Sequence, residues 1–285
     1  MGKVSQINNK YSFILRDTIR QIFPHLFTHY RKYDVEHYLT YIDYVLTQCS
    51  SWKSLYFTFS RLNDNAKTKD KFKKNHWKTI ENFYNMLSKA NVFAIAFDTM
   101  MENYNFHIKN LNKSVLPLFV DSTIIFNKHG KEKDMKKYHS YHKKCATKVN
   151  ILTDENKVIL SNHIFENPNK HDLEAINPLI NKLKITHPNI RIYGDKAYIN
   201  KRRFFIKNRQ IYVVAPKRKN QKTKNLPYDV EQLKKRNKIE HVNASIKRFT
   251  RINLRYESST INFQSTLLYV CALHNDEIFS KLKLY

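Results

Sequence analysis

Leu116-Pro-Leu-Phe-Val-Asp-Ser-Thr-Ile-Ile-Phe126 is an apolar run with one carboxylate, Asp121, set inside it. It reads as a buried strand. A second short apolar run, Ile190-Arg-Ile-Tyr193, reads as a strand leading through Gly194 to Asp195. A third acidic residue, Glu240, lies in Arg236-Asn-Lys-Ile-Glu-His-Val-Asn-Ala-Ser-Ile-Lys-Arg-Phe249, a stretch with helical periodicity. Two strand-end aspartates and a helical glutamate can hold two divalent metal ions, and two such ions can cut and rejoin phosphodiesters.

The order of elements outward from Asp121 predicts an α/β fold with a mixed sheet. Before it, residues 1–108 show helical periods over Tyr11 to Phe27, Val35 to Leu46, a short helix from Trp52, Phe72 to Leu87 and Val92 to Tyr104, with no strand signal. After it come a charged loop from Lys128 to Lys144, then a hairpin of Thr147 to Leu152 with Val158 to Ile164 turning at Asp154-Glu155-Asn156. Asp172 is a good N-cap for a helix through Leu183. A helix over Asn200 to Asn208, a strand over Ile211 to Val214, a long helix from about Val230 to Phe249 and a last helix over Phe263 to Leu282 complete the order. The division expected is an all-α N-terminal domain, 1–108, and a catalytic domain, 109–285.

On a helical wheel, at about 100° per residue, Arg236, Glu240 and Lys247 share one face and Ile239, Val242, Ile246 and Phe249 the opposite one. Alone, an i, i+4 Arg–Glu pair commonly marks a solvated surface. Alongside two aspartates in strand runs it reads as part of a site.

Lys+Arg number 51 against 24 Asp+Glu, a formal net charge of +27. Such a field favours a polyanion, with DNA or RNA the commonest. No run approaches the roughly 18 apolar residues of a membrane span, and no signal peptide is visible, so the expectation is an intracellular protein without membrane association. Cys49, Cys145 and Cys271 lack the spacing of a disulfide scaffold or a zinc module. His139 and His142 lack acidic or cysteine partners at zinc spacing. Lys217, Arg218, Lys219, Lys234 and Lys235 form a basic approach to Arg236, with Tyr228 interleaved. A second basic run, Lys131 to Lys144, carries Tyr138 and Tyr141, and such tyrosines can stack on unpaired bases.

Together, Asp121-Ser-Thr123, Gly194-Asp-Lys-Ala-Tyr198 and Arg236-x3-Glu240-x6-Lys247 resemble the signature of DDE transposases of the insertion-sequence-4 and insertion-sequence-5 superfamily, closer to the insertion-sequence-5/Harbinger type. Thr147-Lys148, His171-Asp172 and Arg251-x3-Arg255-Tyr256-Glu257 match further parts of the family's run. The resemblance covers most of the chain. It implies an RNase H-like catalytic domain and a transposase that cuts and joins double-stranded DNA at terminal inverted repeats and a target. Asp121, Asp195 and Glu240 would be the catalytic metal ligands for two Mg²⁺ (or Mn²⁺) ions. It implies Arg236 and Lys247 as DNA contacts, and a homodimer or larger synaptic assembly working in the nucleoid, nucleus or viral factory. Two departures stand out. Leu233 occupies a place usually held by tyrosine, so that a supporting DNA contact is either lost or supplied by Tyr228, and Glu240 follows Asp195 too closely for an inserted domain. The alternatives are a domesticated, non-transposing DNA-binding protein and an RNase H-fold nuclease. His171-Asp172 reads as a metal pair or as a helix cap. Val35–Thr47 with Trp52–Leu62 reads as a helix-turn-helix or as a structural cap.

Overall fold

In the computed structural model, the described residues are 10–28, 34–48, 51–63, 76–111, 113–128, 137–199, 204–206, 209–217 and 225–284; of 59–63, 204–206 and 209–210 the backbone alone is described. Six helices come first: α1 Lys10–Ile22, α2 His25–Thr28, α3 Val35–Gln48, α4 Ser54–Asn63, α5 His76–Lys89 and α6 Val92–Lys109. Pro24 separates α1 from α2, because proline removes a backbone donor and disfavours helix at the residue before it.

The sheet follows. Strand β1 (Leu116–Asn127) pairs antiparallel with β3 (Lys144–Asp154), which pairs antiparallel with β4 (Ile159–Phe165). On its other edge β1 runs parallel to β5 (Asn189–Tyr193), and β5 runs parallel to β7 (Arg209–Val214). A three-strand antiparallel meander extended by two parallel strands, with a helix crossing between β4 and β5, is the RNase H-like arrangement. Short strands β2 (Tyr138–His139) and β8 (Leu254–Arg255) pair with β3 and β1. Helix α7 (Ile176–Lys182) lies over β4 and β3, and α8 (Pro227–Lys234), α9 (Asn237–Lys247), α10 (Thr250–Asn253) and α11 (Thr260–Leu282) follow β7.

Three sequence expectations need correction. Residues 204–206 form strand β6 (Phe204–Ile206), not part of a helix, and pair antiparallel with β7. Phe-Phe-Ile is a β-prone run, and the free edge of β7 offers it a ladder that no isolated helix of that length could match. The long helix breaks at Lys235-Arg236 into α8 and α9. His171, not Asp172, is the cap. Its Nδ1 accepts from the Leu173 N–H (3.2 Å), and the Glu174 carboxylate accepts from the His171 N–H (3.3 Å), a reciprocal capping box. That leaves the Asp172 carboxylate free to take the almost fully buried Lys148 ammonium at 3.1 Å.

The main apolar core runs from the N-terminal helices through the sheet to α11. It includes Tyr11, Leu15 and Ile19 of α1, Tyr84 and Leu87 of α5, Leu118 and Val120 of β1, and Leu267 and Val270 of α11. The apolar periods of the N-terminal helices and of α11 therefore face each other. A buried polar knot reinforces the junction. The fully buried Arg255 donates to Thr147 Oγ1 (2.8 Å), Glu166 Oε2 (3.1 Å), Thr260 Oγ1 (3.2 Å) and the Glu257 carbonyl (3.0 Å). Arg251 donates to the Glu257 carboxylate (2.6 Å), as does Thr266 (2.9 Å), and the Tyr84 hydroxyl meets Thr266 at 2.8 Å. The Arg-x3-Arg-Tyr-Glu run thus ties β3, β4 and α11 to α5. A buried guanidinium is tolerated only when its donors are satisfied in this way.

Candidate active site

The parallel register of β1 and β5 builds the site. Its last paired positions are Phe119 and Tyr193. Asp121 and Asp195 each lie two residues further on, so they emerge side by side where β5 ends. Because strand side chains alternate with period two, Asp121 shares a face of β1 with Phe119, and Asp195 follows the end of β5 as the cap of the next turn. That face is covered by α9 and the end of α8. Phe119, Tyr193 and Ile239 form a small cluster of their own, with Leu233 and Val214 against it. Leu233, in the place where a tyrosine was expected, is an apolar peg for this cluster. Asp121 is not at the end of its strand. β1 continues to Asn127, held by β3 and β8.

Helix α9 brings the glutamate. Arg236, at the turn between α8 and α9, donates from Nη2 to Glu240 Oε1 (2.9 Å), while its Nη1 stands 3.9 Å from Asp121 Oδ1. One guanidinium therefore faces both carboxylates. Asn243 donates from Nδ2 to Asp121 Oδ2 at 2.9 Å. Asn243 is three residues past Glu240, on a neighbouring strip of the helix, and that spacing was the available signal for a residue the sequence reading missed. Asp195 Oδ1 accepts from the Ala197 N–H (2.8 Å), which caps the 3-10 turn Lys196–Tyr198 and fixes the carboxylate's direction.

The electrostatics agree with a convergence of negative charge. Burial raises the Asp121 carboxyl to about 6; Arg236 and the Ser122 N–H pull it down, and Asp195 and Glu240 push it up. Burial lowers the pKa of the Lys247 ammonium, and attraction to Asp121 opposes that shift. Glu240 is more than half exposed and Asp121 only one-fifth, so the group opens outward along α9.

The basic approach residues are further out. Lys217 and Lys234 are exposed, and Lys235 pairs with Glu231 at 2.9 Å. Arg218 and Lys219 lie outside the described residues, as do Lys131, Lys133 and Lys136. Tyr228 is half exposed at the start of α8, with the Arg191 guanidinium 5.6 Å from its ring centroid. Tyr138 and Tyr141 are exposed.

Among the described residues no three His, Cys, Asp or Glu side chains stand close enough to cage one ion. The donor set still fits a hard divalent cation. Such ions keep several waters and take one or two carboxylates beside substrate phosphates. Here the donors are carboxylate oxygens, and the neighbouring charge that Asp121 senses from Asp195 and Glu240 is answered in the free chain by the Arg236 guanidinium.

An RNase H-like sheet whose parallel strands bring two aspartates beside a glutamate-bearing helix is the architecture of enzymes acting on phosphodiesters. The model of the transposase DDE domain family matches residues 116–274, more than half of the chain, and the chain belongs to that family. No curated protein and no solved structure matches it. Membership makes this a transposase-class protein whose partner is DNA and whose family works with divalent metals. Among the described residues no helix is long and apolar enough to cross a membrane.

Proposed function

We propose that this chain cuts and rejoins DNA strands at the ends of a mobile element, with Asp121, Asp195 and Glu240 as the catalytic carboxylates. The observation that supports the reading is the β1–β5 register, whose last pair, Phe119 and Tyr193, lies two residues before each aspartate. When bound, a pair of Mg²⁺ or Mn²⁺ ions would supply charge stabilisation to the attacking and leaving oxygens of an in-line displacement. Asp121 and Asp195 would bind the metals and Glu240 would complete the second site. Asn243 would fix the rotamer of Asp121 while its carboxylate is engaged. Arg236 is a planar fork suited to a phosphate, and Lys247 a point charge beside Asp121. Both would orient the backbone at the scissile position.

Lys217, Arg218, Lys219, Lys234, Lys235 and Tyr228 would track the DNA leading to the site. Residues 1–108 would act as a helical DNA-binding unit and 109–285 as the catalytic unit, sharing one core. Pairing two element ends calls for at least two copies of the chain.

The test is cleavage and strand transfer on duplexes carrying the inverted repeats that flank the gene, in Mg²⁺. Asp121→Asn, Asp195→Asn and Glu240→Gln should each abolish both steps and leave DNA affinity within a few-fold of the wild type. Near-wild-type cutting by any one variant removes that residue from the site. Cleavage without joining of 3′-hydroxyl ends would reassign the chain as a nuclease.

A further inference from the structure

The hairpin that joins β2 to β3 has no use in the reading above. Residues 137–144, Lys-Tyr-His-Ser-Tyr-His-Lys-Lys, hold two tyrosines, two histidines and three lysines, and no Asp or Glu. Two strand pairs close it, Tyr138 with Cys145 and His139 with Lys144. Its tip stands in solvent. Tyr141 is 84% exposed and Tyr138 53%, and Lys137, Lys143 and Lys144 are exposed with them. A single exposed apolar side chain is ordinary, but here rings and cations are gathered on one turn.

The turn is held in one shape. The Ser140 N–H and Oγ both donate to Asn169 Oδ1 (3.2 and 3.1 Å), and Asn169 Nδ2 donates to the Tyr138 carbonyl (2.8 Å). The His142 N–H donates to His139 Nδ1 (3.1 Å), and the Lys143 N–H to the His139 carbonyl (2.9 Å). Lys143 takes φ 50°, a left-handed conformation that a lysine seldom adopts. The rings are steadied too. His142 meets Phe126 edge-on (centroids 5.4 Å apart, planes at 87°) and Tyr141 edge-on (5.1 Å, 81°). The Lys144 ammonium lies 5.4 Å from the Phe126 centroid, within reach of a cation–π contact. Tyr141 is therefore braced by a neighbour while most of it stays open.

A braced, open ring among cations fits one class of ligand. Bases stack on aromatic rings, and the phosphates beside them call for positive charge. Inside a duplex the base faces are covered by the helix's own stack, so the ligand is a single strand. Phe126 lies five residues beyond Asp121 on β1, about 17 Å along the strand or roughly five nucleotide steps.

We propose that this hairpin is a binding site for single-stranded DNA: Tyr141, braced by His142, stacks on an unpaired base, and Lys137, Lys143 and Lys144 take the neighbouring phosphates. Only the origin of the strand, an end opened at the carboxylates, rests on the proposed function.

The probe is a fluorescently labelled oligothymidylate, titrated into the full chain in chelator and followed by anisotropy, beside a blunt duplex of the same length. Tyr141→Ala should weaken oligothymidylate binding about 5–150-fold. Its duplex affinity should stay at the wild-type value, which also reports that the variant is folded. Tyr141→Phe keeps the ring and should bind oligothymidylate as the wild type does. Lys143→Gln and Lys144→Gln should each flatten the salt dependence of oligothymidylate binding, by about 0.7 in the log–log slope. Unchanged oligothymidylate affinity in Tyr141→Ala overturns the proposal. An equal loss on the duplex overturns it as well, since the ring would then be a general contact. So does a Tyr141→Phe variant as weak as Tyr141→Ala, since the hydroxyl would then carry the binding. No arm of this test uses metal or cleavage. A chain in which Asp121→Asn still cuts would lose the proposed carboxylate site and keep this one.

Discussion

Asp121 is held in a state that a purely structural carboxylate would avoid. Its pKa in the folded chain is raised to about 6 from 3.8, chiefly by burial. Between those values the folded chain keeps a proton that the unfolded chain has lost. The contribution of Asp121 to stability is therefore greatest below about pH 4, falls as pH rises through about 6, and then levels off, a loss of roughly 2–3 kcal/mol. Asp121→Asn removes the titration yet keeps an oxygen for the Asn243 amide. In chelator, the variant should melt higher than the wild type at pH 8, and the gap should close toward pH 4. A gap independent of pH would show that ionisation of Asp121 does not set this stability. Arg236 explains why the cost is not larger, since it faces Asp121 and Glu240 together.

At the level of elements, α9 holds its apolar stripe, Ile239, Val242 and Ile246, against the sheet and the core while its other side looks into the site. If that side orients DNA, Lys247→Ala should slow cleavage and joining by tenfold or more with little loss of affinity, since a misplaced phosphate costs rate rather than binding. Arg236→Ala should be more severe, because Glu240 loses its 2.9 Å partner as well. Melting temperature measured beside cleavage rate on both variants separates this from a surface role, which predicts slightly lower melting and unchanged turnover. Much of this element was legible in the residues: the wheel face of Glu240 and Lys247 comes directly from 3.6 residues per turn. The break at Lys235-Arg236 was not, because the α-prone residues on both sides carry no Gly or Pro to mark it. The β6 strand was misread for a related reason. A three-residue strand has no period of its own and exists because β7 has an open edge. The hydrogen-bond partner Asn243 escaped because long-range register, which no local pattern encodes, brings it to Asp121.

For the molecule as a whole, the excess of basic residues sets how it meets DNA. If about 6–10 phosphates are neutralised, affinity should fall roughly 10³–10⁵-fold between 50 and 200 mM salt. Filter binding or anisotropy across that range measures the slope, and a slope equal to one or two contacts would assign the +27 charge elsewhere. The knot around Arg255 and the shared core have a different consequence, which concerns time. The chain leaves the ribosome from its N-terminus, so α1 to α6 and both aspartates appear before Glu240. The core that seats the early helices is completed by Phe263, Leu267 and Val270 of α11, later still. With the carboxylates in the proposed role, cutting chemistry would be withheld during translation. A nascent chain that already carries its basic residues would touch nucleic acid before it had the assembled means of breaking it, and that capacity would arrive only with α11.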